Sequence, residues 1–167
     1  MLTHEAFKER LKQIKLVVFD FDGVFTDNRV FVFQDGREAV ACSRGDGMGI
    51  SLMRKAGVDM FVLSTEENHV VAARCRKLLL PYVHGCDDKK NFLQEELSRR
   101  CLVWEDVLFM GNDVNDAACL AAAGCAVCPV DAHRAVIQYA HYVTRLPGGA
   151  GAVREVCDFF LQVNHAK

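Results

Sequence analysis

Proline is scarce in this chain, three in 167 residues, and tryptophan occurs once. No stretch approaches the roughly 18 consecutive apolar residues that a membrane-spanning helix needs. Met1–Ile14 is charged and amphipathic and lacks the apolar centre of a signal peptide, so a cytoplasmic protein is expected. Excess positive charge is missing too: 20 Lys and Arg face 22 Asp and Glu, a formal net charge of −2. No basic field exists to collect nucleic acid or anionic lipid, and neither partner is expected. Low-complexity tracts, internal repeats and Pro/Gly/Ser-rich linkers are absent, so residues 1–167 read as a single domain.

Cysteine, in contrast, is plentiful, with eight residues. Only Cys125 and Cys128 have ligand-like spacing, and no second pair accompanies them, so free thiols are expected rather than disulfides or a zinc site. A domain near 150 residues buries roughly 70% of its unfolded surface and needs no covalent staple.

What the chain does contain is alternation. Leu16–Phe19, Val58–Leu63 and Val107–Met110 are continuous apolar runs, the pattern of strands buried on both faces. Cys125–Val127 and Tyr142–Val143 are weaker versions, and a further short strand is expected between Ser64 and Lys89. Helices are expected at Thr3–Ile14, Met48–Ala56, Glu67–Leu79, Lys89–Arg100, Asn115–Ala123, His133–Ala140 and Ala152–Val163. Strands alternating with helices imply an α/β fold, a doubly wound, mainly parallel sheet with helices on both faces. One segment interrupts the pattern. Arg29–Phe33 and Arg37–Cys42 flank Gln34-Asp35-Gly36, the composition of a β-hairpin after the first strand. Its apolar residues Val30, Phe31, Val32 and Phe33 need cover, from their own domain or from a partner subunit.

Ligands of open α/β sheets bind outside the carboxyl ends of the strands. Four polar segments fall there: Asp20-Phe21-Asp22-Gly23-Val24-Phe25-Thr26-Asp27, Ser64-Thr65, Lys89, and Gly111-Asn112-Asp113-Val114-Asn115-Asp116. Carboxylates crowded into one cleft repel unless a cation holds them. Mg2+ suits, because it takes oxygen ligands and binds through one or two carboxylates plus substrate phosphate. The set points to phosphoryl transfer, in which one carboxylate attacks phosphorus and a second serves first as acid and then as base. A hydroxyl and a lysine bind the moving phosphoryl oxygens.

In this order the four segments resemble the four motifs of the haloacid dehalogenase-like phosphatase superfamily, over nearly the whole chain. The resemblance implies that Asp20 is the nucleophile and a metal ligand. It makes Asp22 the general acid/base, with its backbone carbonyl on the metal, and Ser64 and Lys89 the phosphoryl-binding catalytic pair. The fourth motif departs from the usual form, since Asn112 stands where an acid normally follows the glycine, with Asp113 next. The last metal ligand is therefore Asn112 or Asp113. Asp116 is expected to hold Lys89 or a metal-bound water, and is grouped with the substrate-binding residues.

The chain has no room for a cap domain: only the hairpin and one helix separate Asp27 from Ser64, and only a helix and a short strand separate Ser64 from Lys89. Capless members with a hairpin and a glycine-rich segment such as Pro147–Glu155 are similar to the phosphatases of 3-deoxy-ulosonic acid phosphates. In that group homotetramers close each site with a neighbour. Thr65-Glu66 stands where enzymes acting on octulosonate 8-phosphate usually carry Gly-Arg. A glutamate there, followed by VVAARCRKL, resembles the phosphatases of nine-carbon acids and the phosphatase domain linked to bacterial acylneuraminate cytidylyltransferases. A nonulosonate 9-phosphate is therefore expected ahead of an octulosonate 8-phosphate. Thr65, Glu66, Arg74 and Lys77 are expected to bind substrate, the last two near a neighbouring subunit's sugar acid. Some cytidylyltransferase-linked copies have lost motif acids, which leaves a weakly active or inactive tetramerising domain as the alternative. A receiver-type signalling domain fits less well, because the strand before Ser64 ends in no aspartate.

Overall fold

The computed structural model describes residues 2–164; Met1 and residues 165–167, the two ends of the expected domain, lie outside the described residues. Strands β1 (Leu16–Phe19), β4 (Asp59–Leu63), β5 (Tyr82–Val83), β6 (Val107–Met110), β7 (Cys125–Cys128) and β8 (Tyr142–Val143) form one parallel sheet in the order β5-β4-β1-β6-β7-β8. The continuous apolar runs are explained by a core on each face. Successive side chains of a strand point to opposite sides. Val17 and Phe19, Met60 and Val62, and Leu108 and Met110 enter one core. Leu16 and Val18, Phe61 and Leu63, and Val107 and Phe109 enter the other.

Helices α1 (His4–Leu11), α2 (Arg44–Lys55), α3 (Val70–Leu78) and α7 (Ala152–Asn164) cover the first face. Helices α4 (Lys89–Arg99), α5 (Ala117–Ala122) and α6 (Arg134–Ile137) cover the second. The doubly wound expectation therefore holds, with no cap. All eight cysteines are free thiols. Cys125 and Cys128 cannot share a metal, because three residues along β7 place them in opposite cores.

Several boundaries move for local reasons. Helix α2 begins four residues before the expected Met48 because Ser43 caps it, its hydroxyl accepting the Gly45 and Asp46 amides. Helix α3 begins at Val70 rather than Glu67, since Glu66–Asn68 form a turn whose side chains bond back to the chain. The expected helix at His133–Ala140 is only Arg134–Ile137, and Asn115–Ala123 is a 3-10 turn, Val114–Asp116, followed by α5.

The hairpin forms, but only as β2 (Phe31–Val32) against β3 (Glu38–Ala39), shorter than expected. It does not bury itself on its own domain. Phe31 and Val32 are 65% and 67% exposed, and Val30 and Phe33 are exposed beside them. Two residues adjacent in a strand face opposite ways, so both sides of the ribbon are bare. The glycine-rich segment before α7 is not a free loop either. The Gly149 amide donates to the Val24 carbonyl at 3.0 Å, and a Cβ on Gly148 would stand 2.0 Å from the Gly23 carbonyl oxygen. Asp46, buried in α2, fixes the next turn by accepting the Arg154 amide at 2.8 Å.

Candidate active site

The ends of β1, β4 and β6 and the start of α4 meet at one rim. Asp20 follows β1 directly, and its amide prolongs the ladder by donating to the Met110 carbonyl at 2.8 Å, which aims its side chain outward from the sheet end. Lys89, the first residue of α4, is only 2% exposed. Its Nζ lies 2.7 Å from Asp20 Oδ1 and 2.7 Å from Asp116 Oδ1. Buried ammonium groups persist only when paired in this way.

One ammonium between two carboxylates leaves the trio one negative charge in excess. Burial, and then the charge of Asp116, push the Asp20 carboxyl up to about 8, against the lowering pull of Lys89. The Lys89 pKa is raised: burial opposes its charge, but Asp20 and Asp116 together outweigh it. Asp22 is partly exposed, accepts the Thr26 hydroxyl at 3.2 Å, and is shifted upward mainly by burial. A carboxyl raised in this way holds a proton longer, which suits a general acid.

Gly23 makes the turn possible. Its φ is +71°, and a Cβ there would fall 1.9 Å from the Asn112 amide nitrogen, so only glycine lets Asn112 close on this loop. Asn112 is 7% exposed and lines a cleft of about 290 Å3 together with Asp20, Asp22, Ser64, Thr65 and Asp113. Ser64 is buried, its Oγ accepting the Glu66 amide at 3.1 Å. Thr65 Oγ1 accepts the Asn115 side-chain amide at 3.2 Å.

The structure thus brings Asp20, Asp22, Ser64, Thr65, Asn112 and Asp113 to one cleft, with Lys89 beneath and Glu66 beside it. Asp116 meets Lys89, one of its two expected partners, and is not among the residues that line the cleft, despite its expected place among the substrate-binding residues. It is wholly buried, and its carboxylate faces Lys89 and the amides of Asn112 and Asp113 rather than the cleft. Arg74 and Lys77 are not brought to this chain's cleft. Arg74 donates to the Ser43 carbonyl at 2.7 Å, and Lys77 is exposed on α3.

A divalent cation fits the donor set at the cleft, where carboxylates outnumber the one buried ammonium. Among the described residues no three His, Cys, Asp or Glu converge. A cation here would therefore rely on Asp20 and the Asp22 backbone carbonyl, with either the Asn112 amide oxygen or the Asp113 carboxylate as the last protein donor. Sequence reading missed two residues beside the cleft, Glu38 and Asn68, which bond to each other at 2.9 Å across 30 positions of sequence.

No family model matches the chain. It is 33% identical over 154 residues to the 3-deoxy-D-manno-octulosonate 8-phosphate phosphatase of Yersinia pestis, covering 92% of this chain and 82% of that protein. A crystal structure described as a haloacid dehalogenase (HAD) family hydrolase from Streptomyces avermitilis superposes with TM-score 0.87 at 48% identity, over 90% of this chain and 87% of that one. The cobalt-bound deoxy-D-mannose-octulosonate 8-phosphate phosphatase of Haemophilus influenzae superposes with TM-score 0.87 at 27% identity, over 93% and 92%. With the fold, the order of the motifs and these relatives in agreement, the chain belongs to the 3-deoxy-D-manno-octulosonate 8-phosphate phosphatase group of the haloacid dehalogenase-like phosphatases, a group of phosphoric monoester hydrolases.

Proposed function

We propose that the chain is a Mg2+-dependent phosphatase that frees phosphate from the monoester of a 3-deoxy-ulosonic acid through an aspartyl-phosphate on Asp20, and that it works as a homotetramer. The observation that carries the reading is Lys89, held 2.7 Å from both Asp20 and Asp116 at the sheet end, with the second acid, Asp22, on the same cleft.

Asp20 Oδ attacks phosphorus while the bond to the sugar oxygen breaks, and the Asp22 carboxyl gives its proton to that leaving oxygen. Asp22, now a carboxylate, takes a proton from water as the water oxygen attacks phosphorus, and the bond to Asp20 breaks to release phosphate. Lys89 and the Ser64 hydroxyl hold the phosphoryl oxygens throughout. Asp20, the Asp22 backbone carbonyl and either Asn112 or Asp113 would hold the Mg2+, which when bound would offset phosphate charge and keep Asp20 ionised. The bare hairpin supports assembly, because four consecutive exposed apolar residues gain cover only from another molecule. In such an assembly Arg74 and Lys77 would serve a neighbour's site.

The names of the relatives favour an eight-carbon acid, whereas Thr65-Glu66 favours a nine-carbon one. The test is phosphate release with Mg2+ from octulosonate 8-phosphate and from a nonulosonate 9-phosphate, by the wild type and by Asp20→Asn. Turnover that is lost in the variant supports the aspartyl mechanism, and the preferred substrate decides the chain length. No turnover of either would favour the tetramerising domain, with Asn112 as the residue at fault. A monomeric mass by light scattering would remove the tetramer.

A further inference from the structure

The loop of residues 129–133, between β7 and α6, lines no part of the cleft, yet it reaches both segments expected to hold the cation. Asp131 Oδ1 accepts the Gly148 amide at 3.0 Å. Gly148 lies against the Gly23 carbonyl oxygen, and the Gly149 amide is bonded to Val24, so this limb ends on the loop that carries the Asp22 carbonyl. Two residues beyond Asp131, the His133 amide donates to the Asn112 carbonyl at 2.8 Å. That carbonyl belongs to the peptide between Asn112 and Asp113. Whichever of the two gives the last donor, its backbone is held by this bond.

The loop is stiff enough to act as a brace. The Ala132 amide closes a turn on the Pro129 carbonyl at 3.1 Å, and His133 Nδ1 accepts the Ala135 amide at 3.3 Å where α6 begins. Asp131 itself is exposed. Among the described residues its carboxylate forms no ion pair and no hydrogen bond other than that to Gly148. Mg2+ demands near-ideal octahedral geometry at about 2.0–2.1 Å, and here its donors come from two loops, one after β1 and one after β6. The contact of Gly23 with Asn112 limits how closely those loops approach. The bonds made by Asp131 and His133 limit how far they separate.

We propose that Asp131 is a positioning residue of the divalent-cation site: its bond to Gly148 and the bond from the His133 amide to Asn112 brace the two donor loops against each other and fix the width of the site. The inference rests on the Mg2+ reading above and adds a residue that touches neither metal nor substrate. Groups that orient metal donors from behind commonly change affinity 10- to 100-fold when removed. An exposed side chain with one hydrogen bond contributes little to the fold, so its loss should appear in metal binding rather than in stability.

The experiment follows Tm by circular dichroism as Mg2+ is added to protein stripped with EDTA and dialysed, and takes the dissociation constant from the rise. Asp131→Ala should raise that constant about tenfold, while its Tm without Mg2+ falls by no more than roughly 4 °C. Asp131→Asn keeps an acceptor oxygen for the Gly148 amide and should restore most of the affinity, which separates the bond from the lost charge. His133 has φ −59°, which proline shares, so His133→Pro deletes the amide that reaches Asn112 and tests the other limb. It should weaken Mg2+ binding too, and combining it with Asp131→Ala should go little further, since either break frees the same brace. A constant within twofold of wild type in Asp131→Ala or, should that chain not fold, in His133→Pro overturns the proposal. Equal weakening in Asp131→Asn and Asp131→Ala also overturns it, by assigning the effect to charge. A wild type whose Tm does not respond to Mg2+ overturns the Mg2+ reading and this inference with it.

Discussion

Replacing Asp20 by asparagine should remove activity and yet make the metal-free protein more stable in alkaline solution. Asp20 is 4% exposed and shares Lys89 with Asp116, and burial together with that second charge raises its carboxyl from 3.8 to about 8. Its folded pKa thus lies above its unfolded one. The stability contributed by the protonated form is whole below about pH 4 and is lost as pH rises to about 8. At about 1.4 kcal/mol per pH unit, the two and a half units between pH 5.5 and 8 set a ceiling of about 3 kcal/mol. Asparagine cannot ionise, and it leaves one ammonium facing one carboxylate. For a domain of this size 1 kcal/mol moves Tm by roughly 2–4 °C. The Tm of Asp20→Asn minus that of the wild type should therefore grow from pH 5.5 to 8.5 in EDTA, by at most about 6–12 °C, followed by circular dichroism. Saturating Mg2+ should reverse the order, since a ligand at a hundred times its Kd adds about 2.7 kcal/mol to the form that binds it. A difference that is flat, or that shrinks as pH rises, would refute the account of an under-neutralised acid pair.

Asp116→Ala should be costly in both stability and turnover. It strips a buried lysine of one partner and leaves the Asn112 and Asp113 amides without their acceptor, a loss of about 3–5 kcal/mol measurable as a lower urea midpoint. Gly148→Ala would place its Cβ 2.0 Å from the Gly23 carbonyl oxygen and 2.9 Å from that of Thr26, so the loop bearing Asp22 must shift, and kcat should fall at least tenfold. Gly57→Ala, at φ +77° with nothing within 4 Å, serves as the comparison: a cost of roughly 1 kcal/mol in stability and an unchanged kcat. Equal kcat losses in the two glycine variants would remove the close-approach argument.

The sheet was legible because its strands are buried on both sides. Leu16–Phe19, Val107–Met110 and Tyr142–Val143 coincide with the observed strands, for an apolar run between turn residues has few other uses. Helix starts were less legible where side-chain bonding decides. The glycines of Arg44–Gly49 argue against a helix by propensity, yet they let α2 lie close to its neighbours. A Cβ on Gly47 would meet Leu78 at 2.9 Å, and one on Gly49 would meet Cys157 at 3.0 Å. The acids of the cleft could be found because they stand within a few residues of each strand end. Glu38 and Asn68 could not, since their bond joins segments that only the folded hairpin brings together. Of the two partners expected for Asp116 the structure selects Lys89, a choice that the sequence leaves open.

The contact between the glycine-rich segment and the loop of Asp22 joins residues about 125 apart in the chain. Such distant pairings form late, after the nearer ones have lowered the entropy of closing so long a loop. The nucleophile's own loop is thus backed by a segment that is synthesised about 125 residues after it. A growing or half-folded chain carries Asp20 and Asp22 without the backing that sets them, and chemistry waits until the layer made by α7 has closed behind.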